Sequence, residues 1–339
     1  MDIVCNELQF SILVVAYDRK EFILNAVNSA LRQSLDKSTF EVIVIKNFKD
    51  ERIDNKIADL GVRNVLSNKI PLGEKIIQGT LLANGKYICI LEDDDQFSFN
   101  KLETIQKVIT DDIVFIHNAR TILDHHESSR DRQDTINANL NWFYVKEPGL
   151  KIFYKMLKTG LDFNCSSITI RKDFILRNKE QICRITYRLD NLLFLTALGE
   201  RVRMIELNLP LTLFRLHDNS LDKSHSYNDF ITLRKKRIIP YLEETILIFQ
   251  LMQGRIPKYY LLCYNMRIKS QMRLLGYERF ATKIEPLELL YGVLPKLPIR
   301  TYLYDLEIYF GSRLGGRIKE KLLKRTYQNA LIRLTVDTR

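Results

Sequence analysis

The sequence predicts an α/β fold: a doubly wound, mostly parallel sheet flanked by helices, followed by a C-terminal helical region. Three observations carry this expectation. Short apolar runs recur through the first hundred residues, apolar at successive positions as in strands covered on both faces. Amphipathic helical stretches alternate with them, giving the βαβαβ order of a parallel sheet. From Tyr227 onward the pattern becomes helical and basic.

Phe10 to Ala16 is the first buried run, ending at Tyr17-Asp18-Arg19-Lys20. Phe22, Ala26, Ala30 and Leu31 then recur at the spacing of one helix face. Phe40 to Ile45 and Val62 to Leu66 read as the second and third strands. Leu72 to Asn84 reads as a helix with Asn84-Gly85 as its C-terminal cap. Tyr87 to Leu91 is a further buried strand and runs straight into Glu92-Asp93-Asp94-Asp95. Ile113 to His117 is the next strand, and the polar stretch from Asp124 to Arg132 reads as an exposed loop. Ser167–Arg171 is expected as a strand, Asp190–Leu198 as a helix, and Val202–Glu206 and Leu211–Arg215 as two strands. In an open α/β sheet ligands bind beyond the carboxyl ends of the strands. Tyr17-Asp18-Arg19 and the acidic cluster both fall there.

Composition narrows the classes. Apolar residues make up 46% and charged residues 27% of the 339-residue chain, ordinary values for a globular protein. No run approaches the roughly 18 apolar residues of a membrane-spanning helix, and the first residues lack the pattern of a secretory signal. Five scattered cysteines without a CxxC pair read as reduced thiols in a cytoplasmic protein. Cys165 has no nearby base in sequence and is not expected to act as a nucleophile. The net charge of +11 is concentrated in the last third, where residues 230–339 hold 21 Lys and Arg against 9 Asp and Glu. Such a segment seeks phosphates, on nucleic acid or on a membrane surface. No nucleic-acid-reading motif accompanies it, so nucleic acid is not the expected partner. Bases interleaved with Tyr and Leu, as in Lys258-Tyr259-Tyr260-Leu261-Leu262, suit the interface of an anionic membrane, with a packing domain as the alternative. The expected division is a catalytic domain at 1–229 and a basic helical region at 230–339.

Four adjacent carboxylates at a strand end repel one another. A hard divalent cation, Mg²⁺ or Mn²⁺, would relieve this, since such ions take one or two carboxylates together with substrate phosphates. The run Ser11 to Arg19 resembles the opening strand and nucleotide loop of the inverting family 2 glycosyltransferases of GT-A fold. Val27-Asn28-Ser29-Ala30-Leu31-Arg32-Gln33-Ser34 is similar to that family's first helix. Leu72-Gly73 and the run Ala83 to Asp95 resemble its approach to the DXD metal motif. The resemblance covers about residues 9–220.

The resemblance implies transfer of a sugar from a nucleotide-diphosphate donor, UDP or GDP type, to a glycan or lipid-linked acceptor. Ala16, Tyr17 and Arg19 would line the nucleotide, and Asp93 would contact ribose or sugar. Asp94 would ligate the metal, with Asp95 and His217 as further ligands and Glu92 in support. Lys75 would supply the cation that relatives carry on this helix. Asp190, in Arg188-Leu189-Asp190-Asn191, would be the catalytic base; an Asp at a helix start also suits an N-cap. Asn47 stands where the family has an aspartate reading the base, so the donor nucleotide is open. His125-His126 reads as solvated loop, and Trp142-Phe143-Tyr144 as core or acceptor site. A nucleotidyltransferase and a non-catalytic nucleotide-sugar or nucleic-acid binding protein are the alternative readings.

Overall fold

The computed structural model describes residues 8–123, 142–145, 147–215, 226–276, 307, 310–311 and 313–336. They form two compact units, one from residues 1–146 with 161–215 and the other from residues 147–160 with 216–339. The segment 147–160 thus groups with residues 216–339.

In the first unit β1 (Phe10–Ala16), α1 (Ile23–Leu31), β2 (Phe40–Lys46), α2 (Glu51–Asp59), β3 (Arg63–Leu66), α3 (Leu72–Leu82) and β4 (Tyr87–Glu92) follow the alternation expected from sequence. Then come β5 (Gln96–Phe97), α4 (Lys101–Gln106), β6 (Ile113–Leu123), β7 (Trp142–Val145), β8 (Ile168–Arg171), α6 (Lys172–Arg177), α7 (Lys179–Ile182), α8 (Leu189–Gly199) and β9 (Arg203–Arg215). Helix α5 (Leu150–Thr159), between β7 and β8 in the chain, lies in the second unit.

The described strands form one sheet in the order β3-β2-β1-β4-β8-β6-β9-β5, with β7 also paired to β9. β1 lies parallel between β2 and β4, which brings the loop after Ala16 beside the acids after Glu92. All seven residues of β1 are buried, and alternate ones serve opposite faces. Ile12, Val14 and Ala16 join the cluster formed with α1 and α2, while Leu13 points to α3 at Gly79. Ile12, Leu13 and Val14 each contribute about 1.5–3 kcal/mol by leaving water. This two-sided burial makes the run legible as a strand.

Several elements differ from expectation. α3 ends at Leu82 with Ala83 in extended conformation, so Asn84-Gly85 is not a left-handed cap. Gly85 is needed for closeness instead: a Cβ there would lie 2.4 Å from the carbonyl carbon of Phe10, and its N–H donates to Ser11 Oγ at 2.8 Å. β6 continues past His117 to Leu123, and the two strands expected at 202–215 are one, β9. Pro210, which lacks an N–H, is accommodated where the β6–β9 register shifts around Ala119.

In the second unit α9 (Tyr227–Met252) packs with α10 (Lys258–Leu274) through Ile238, Leu242, Met272 and Leu275, and α11 (Gly316–Val336) follows. Tyr260 is fully buried, its ring 4.8 Å from Phe153 and its hydroxyl donating to Gly149 O at 3.1 Å. Tyr259 stacks on Tyr260. The expectation that this pair faces a membrane is therefore corrected: the pair closes the contact with α5. No described helix is long and apolar enough to cross a membrane.

Candidate active site

The site is built at the carboxyl ends of β1 and β4, within the first unit. Asp18 takes a left-handed backbone, φ 56°, which turns the chain sharply after β1. Asn47, following β2, stabilises that turn with both ends of its carboxamide. Its Oδ1 accepts from Asp18 N and its Nδ2 donates to Asp18 Oδ1, each at 2.8 Å. An aspartate could make only the first of these bonds at neutral pH. The departure from the family's acidic residue thus has a local cause, and Asn47 shapes the loop that carries Tyr17 and Arg19. Tyr17 is 46% exposed and its ring lies 4.2 Å from Lys75 Nζ. Burial lowers the Lys75 ammonium to about 8, with Asp18 and Asp93 opposing that shift. Ala16 is buried in β1.

Arg19 supplies the cation that the acidic cluster requires. Its guanidinium makes ion pairs with both Asp93 and Asp94. Burial opposes the charge, but Asp94, Asp93 and Glu92 outweigh it and push the guanidinium further up. From sequence the cluster implied a metal; in the protein alone, Arg19 pairs with two of its four carboxylates. Burial pushes Asp93 up to about 7 despite Arg19. Glu92 is raised by burial and by its neighbours Asp94 and Asp95.

Among the described residues no group of three or more His, Cys, Asp or Glu side chains is disposed to hold a metal ion. The donor set nevertheless fits a cation whose other ligands are phosphates and water. Asp94 keeps 15% of its side chain exposed, and Asp93 Oδ2 is buried without a hydrogen-bond partner among the described residues. Asp95, expected as a further ligand, is differently employed. It is fully buried, Oδ1 accepting from Arg215 N at 3.0 Å and Oδ2 from Asn164 Nδ2 at 3.1 Å. It braces the end of β9 and the segment before β8. His217 and His125-His126 lie outside the described residues.

Asp190 sits in the first turn of α8, but Arg188 occupies the cap position. The Asp190 carboxylate accepts from Asn164 N at 2.9 Å and from Asn191 N at 2.8 Å. It remains half-buried, and burial lifts it to about 6 against those two bonds. The Asp95–Asn164–Asp190 bonds thus bring the residue expected as base beside the acidic cluster. Sequence reasoning missed the connecting parts: Asn164 as a bridge, Ser166 receiving Glu92 N–H at 3.0 Å, and the buried Lys101 donating to Ser166 O at 2.6 Å. Of this segment the sequence singled out Cys165 alone. Cys165 is buried, and that burial raises its thiol and so disfavours the nucleophilic thiolate.

No curated protein matches the chain in sequence. Among solved structures the chain is similar to S. aureus TarS at 14% identity and TM-score 0.48, covering 97% of this chain and 54% of that one. It is also similar to TarS 1-349 in complex with UDP-GlcNAc, at 13% identity and TM-score 0.47, covering 84% of this chain and 91% of that one. A third is GalNAc-T7 with UDP, GalNAc and Mn²⁺, at 10% identity and TM-score 0.47, covering 74% of this chain and 52% of that one. The chain spans about half the length of the first and third of these. Residues 11–178, from β1 to the end of α6, match the model of one family, and with the β1 loop and the acidic cluster both inside that span, the chain belongs to glycosyl transferase family 2.

Proposed function

We propose that the protein is an inverting, metal-dependent glycosyltransferase that moves a sugar from a nucleotide-diphosphate donor of UDP or GDP type to an acceptor hydroxyl. The observation that carries this reading is the convergence of two carboxylates: Asp94, partly accessible in the acidic cluster, and the half-buried Asp190, which Asn164 ties to Asp95 of that cluster. One carboxylate serves the leaving group and the other the nucleophile. Asp94 with Asp93 Oδ2 would hold Mg²⁺ or Mn²⁺, which when bound neutralises charge growing on the departing diphosphate. Arg19 and Lys75 add positive charge on the same side, and Tyr17 offers an exposed ring for the base or ribose. Asp190 takes the proton of the acceptor hydroxyl as that oxygen attacks the anomeric carbon. Attack opposite the leaving group inverts the anomeric configuration, the same geometry as in inverting glycoside hydrolysis. The test is a panel of UDP- and GDP-sugars with Mn²⁺, scored for nucleoside diphosphate release. Turnover of at least one donor supports the reading, and none with either metal opposes it.

We also propose that the second unit meets an anionic membrane surface, where a lipid-linked acceptor would be presented. Leu314 and Ile318 are 50% and 44% exposed around the start of α11, among the exposed bases Arg317, Lys321 and Lys324. The full chain is expected to sediment with phosphatidylserine vesicles at low salt and to be largely released by 1 M NaCl, because the screening length falls from about 10 Å at 0.1 M to about 3 Å. A salt-resistant remainder should be lost in Leu314→Ser/Ile318→Ser. No sedimentation at low salt would contradict the membrane assignment and leave these helices as a packing or partner surface.

A further inference from the structure

We infer that a single peptide group, Phe163–Asn164, positions the Asp190 carboxylate, and that His117 and Glu206 hold this peptide from behind. The inference rests on the glycosyl-transfer reading for what Asp190 does, but not for how it is held.

The peptide is engaged at both ends. Its N–H, on Asn164, donates to Asp190 Oδ2 at 2.9 Å, and its carbonyl, on Phe163, accepts from His117 Nε2 at 3.0 Å. The other ring nitrogen of His117 lies 2.7 Å from Glu206 Oε2. Both ring nitrogens therefore face acceptors, a carboxylate and a carbonyl. A neutral imidazole has one N–H and satisfies only one of them; both bonds together require the imidazolium. His117 and Glu206 are directly paired residues of β6 and β9, and both are buried, so the sheet fixes the pair. A charged donor on the carbonyl also polarises the amide and strengthens its N–H as a donor to Asp190.

Asn164 supplies the second hold. Its backbone sits at φ 82°, ψ 111°, a region costly for a residue bearing a side chain. Such a conformation persists where its surroundings over-determine it. Here the side chain does so, with Oδ1 accepting from Ser166 N at 2.6 Å and Nδ2 donating to Asp95. A glycine would take this backbone more readily, yet would leave the peptide without its anchor. The residue thus fixes the direction of the N–H that meets Asp190.

Asn164→Gly tests this with little risk to the fold, since it relieves the positive φ and keeps the peptide N–H. In the full chain, the Asp190 carboxyl is followed by ¹³C NMR, assigned by its loss in Asp190→Asn. Weakening an N–H bond to a carboxylate disfavours the charged form, so the Asp190 midpoint should rise from about 6 by about half a unit or more. His117→Gln should shift it in the same direction. An unchanged midpoint in both variants overturns the clamp, whatever the enzyme turns over. With the donor that the UDP- and GDP-sugar panel selects, Asn164→Gly should lower kcat by about 10- to 100-fold, as small misplacements of a catalytic group do, with donor KM unchanged. In an Asp190→Asn background the same change should cost almost nothing further, because the residue acts through the base. Full multiplication of the two losses overturns the positioning role. A moved midpoint without any turnover would instead place the failure in the glycosyl-transfer reading.

Discussion

Asp190→Asn is expected to lower sugar transfer by about 10²–10⁴-fold, the usual cost of removing a positioned base, with UDP affinity in the presence of Mn²⁺ unchanged. The fold should survive. Asn keeps one acceptor oxygen for either Asn164 N or Asn191 N and the other N–H loses its partner, so the loss of stability is about 1–3 kcal/mol. Calorimetric binding of UDP and single-turnover transfer separate the two quantities. Retained turnover with lowered stability would mean that Asp190 only organises the start of α8. The pH profile follows from the same environment. As the proposed base, Asp190 would work as the carboxylate, and burial raises its midpoint to about 6. Below that value the group is protonated and cannot accept the hydroxyl proton. The kcat of the wild type should therefore fall as pH drops through about 6, and this limb should vanish from the residual rate of Asp190→Asn.

Asp94→Asn is the second large effect. It removes a partly accessible carboxylate of the cluster and leaves Arg19 paired with Asp93. Losing one contact that stabilises developing charge costs about 10²–10³-fold in rate, and more where it also releases the cation. Transfer should become insensitive to added Mn²⁺, and Mn²⁺ titrated in the presence of UDP should no longer be immobilised in electron paramagnetic resonance. Near-wild-type turnover would remove Asp94 from the metal site. Because Arg19 already covers this carboxylate pair, Mn²⁺ without nucleotide should bind the wild type weakly.

The parallel half of the sheet was legible because β1, β2 and β4 are buried on both faces and so read as unbroken apolar runs. The acidic cluster and the β1 loop were legible as residues at the ends of those runs. Their electrostatics were not. Arg19 lies 74 residues from Asp93, and only the parallel pairing of β1 with β4 brings the guanidinium onto the two carboxylates. β9 was read as two strands because Pro210 interrupts it, and nothing local announces that a register shift in β6 absorbs the proline. Asn47 illustrates a residue whose partner was not legible, since its carboxamide is matched to Asp18 across 29 residues. His117 passed unnoticed in an apolar strand, because its two partners, Phe163 and Glu206, are 46 and 89 residues away. Pairings of this kind come from topology, and a sequence pattern with periods of 2 or 3.6 does not encode them.

In the proposed mechanism Asp190 activates an acceptor on the face opposite a diphosphate held at Asp94. The anomeric configuration of the product reads this directly. With an α-linked donor selected from the UDP- and GDP-sugar panel and Mn²⁺ present, ¹H NMR of the product formed at early times should give the coupling of a β-linked sugar. An α-linked product would require a route through the same face and would contradict the assignment of Asp190 as the base in a single displacement.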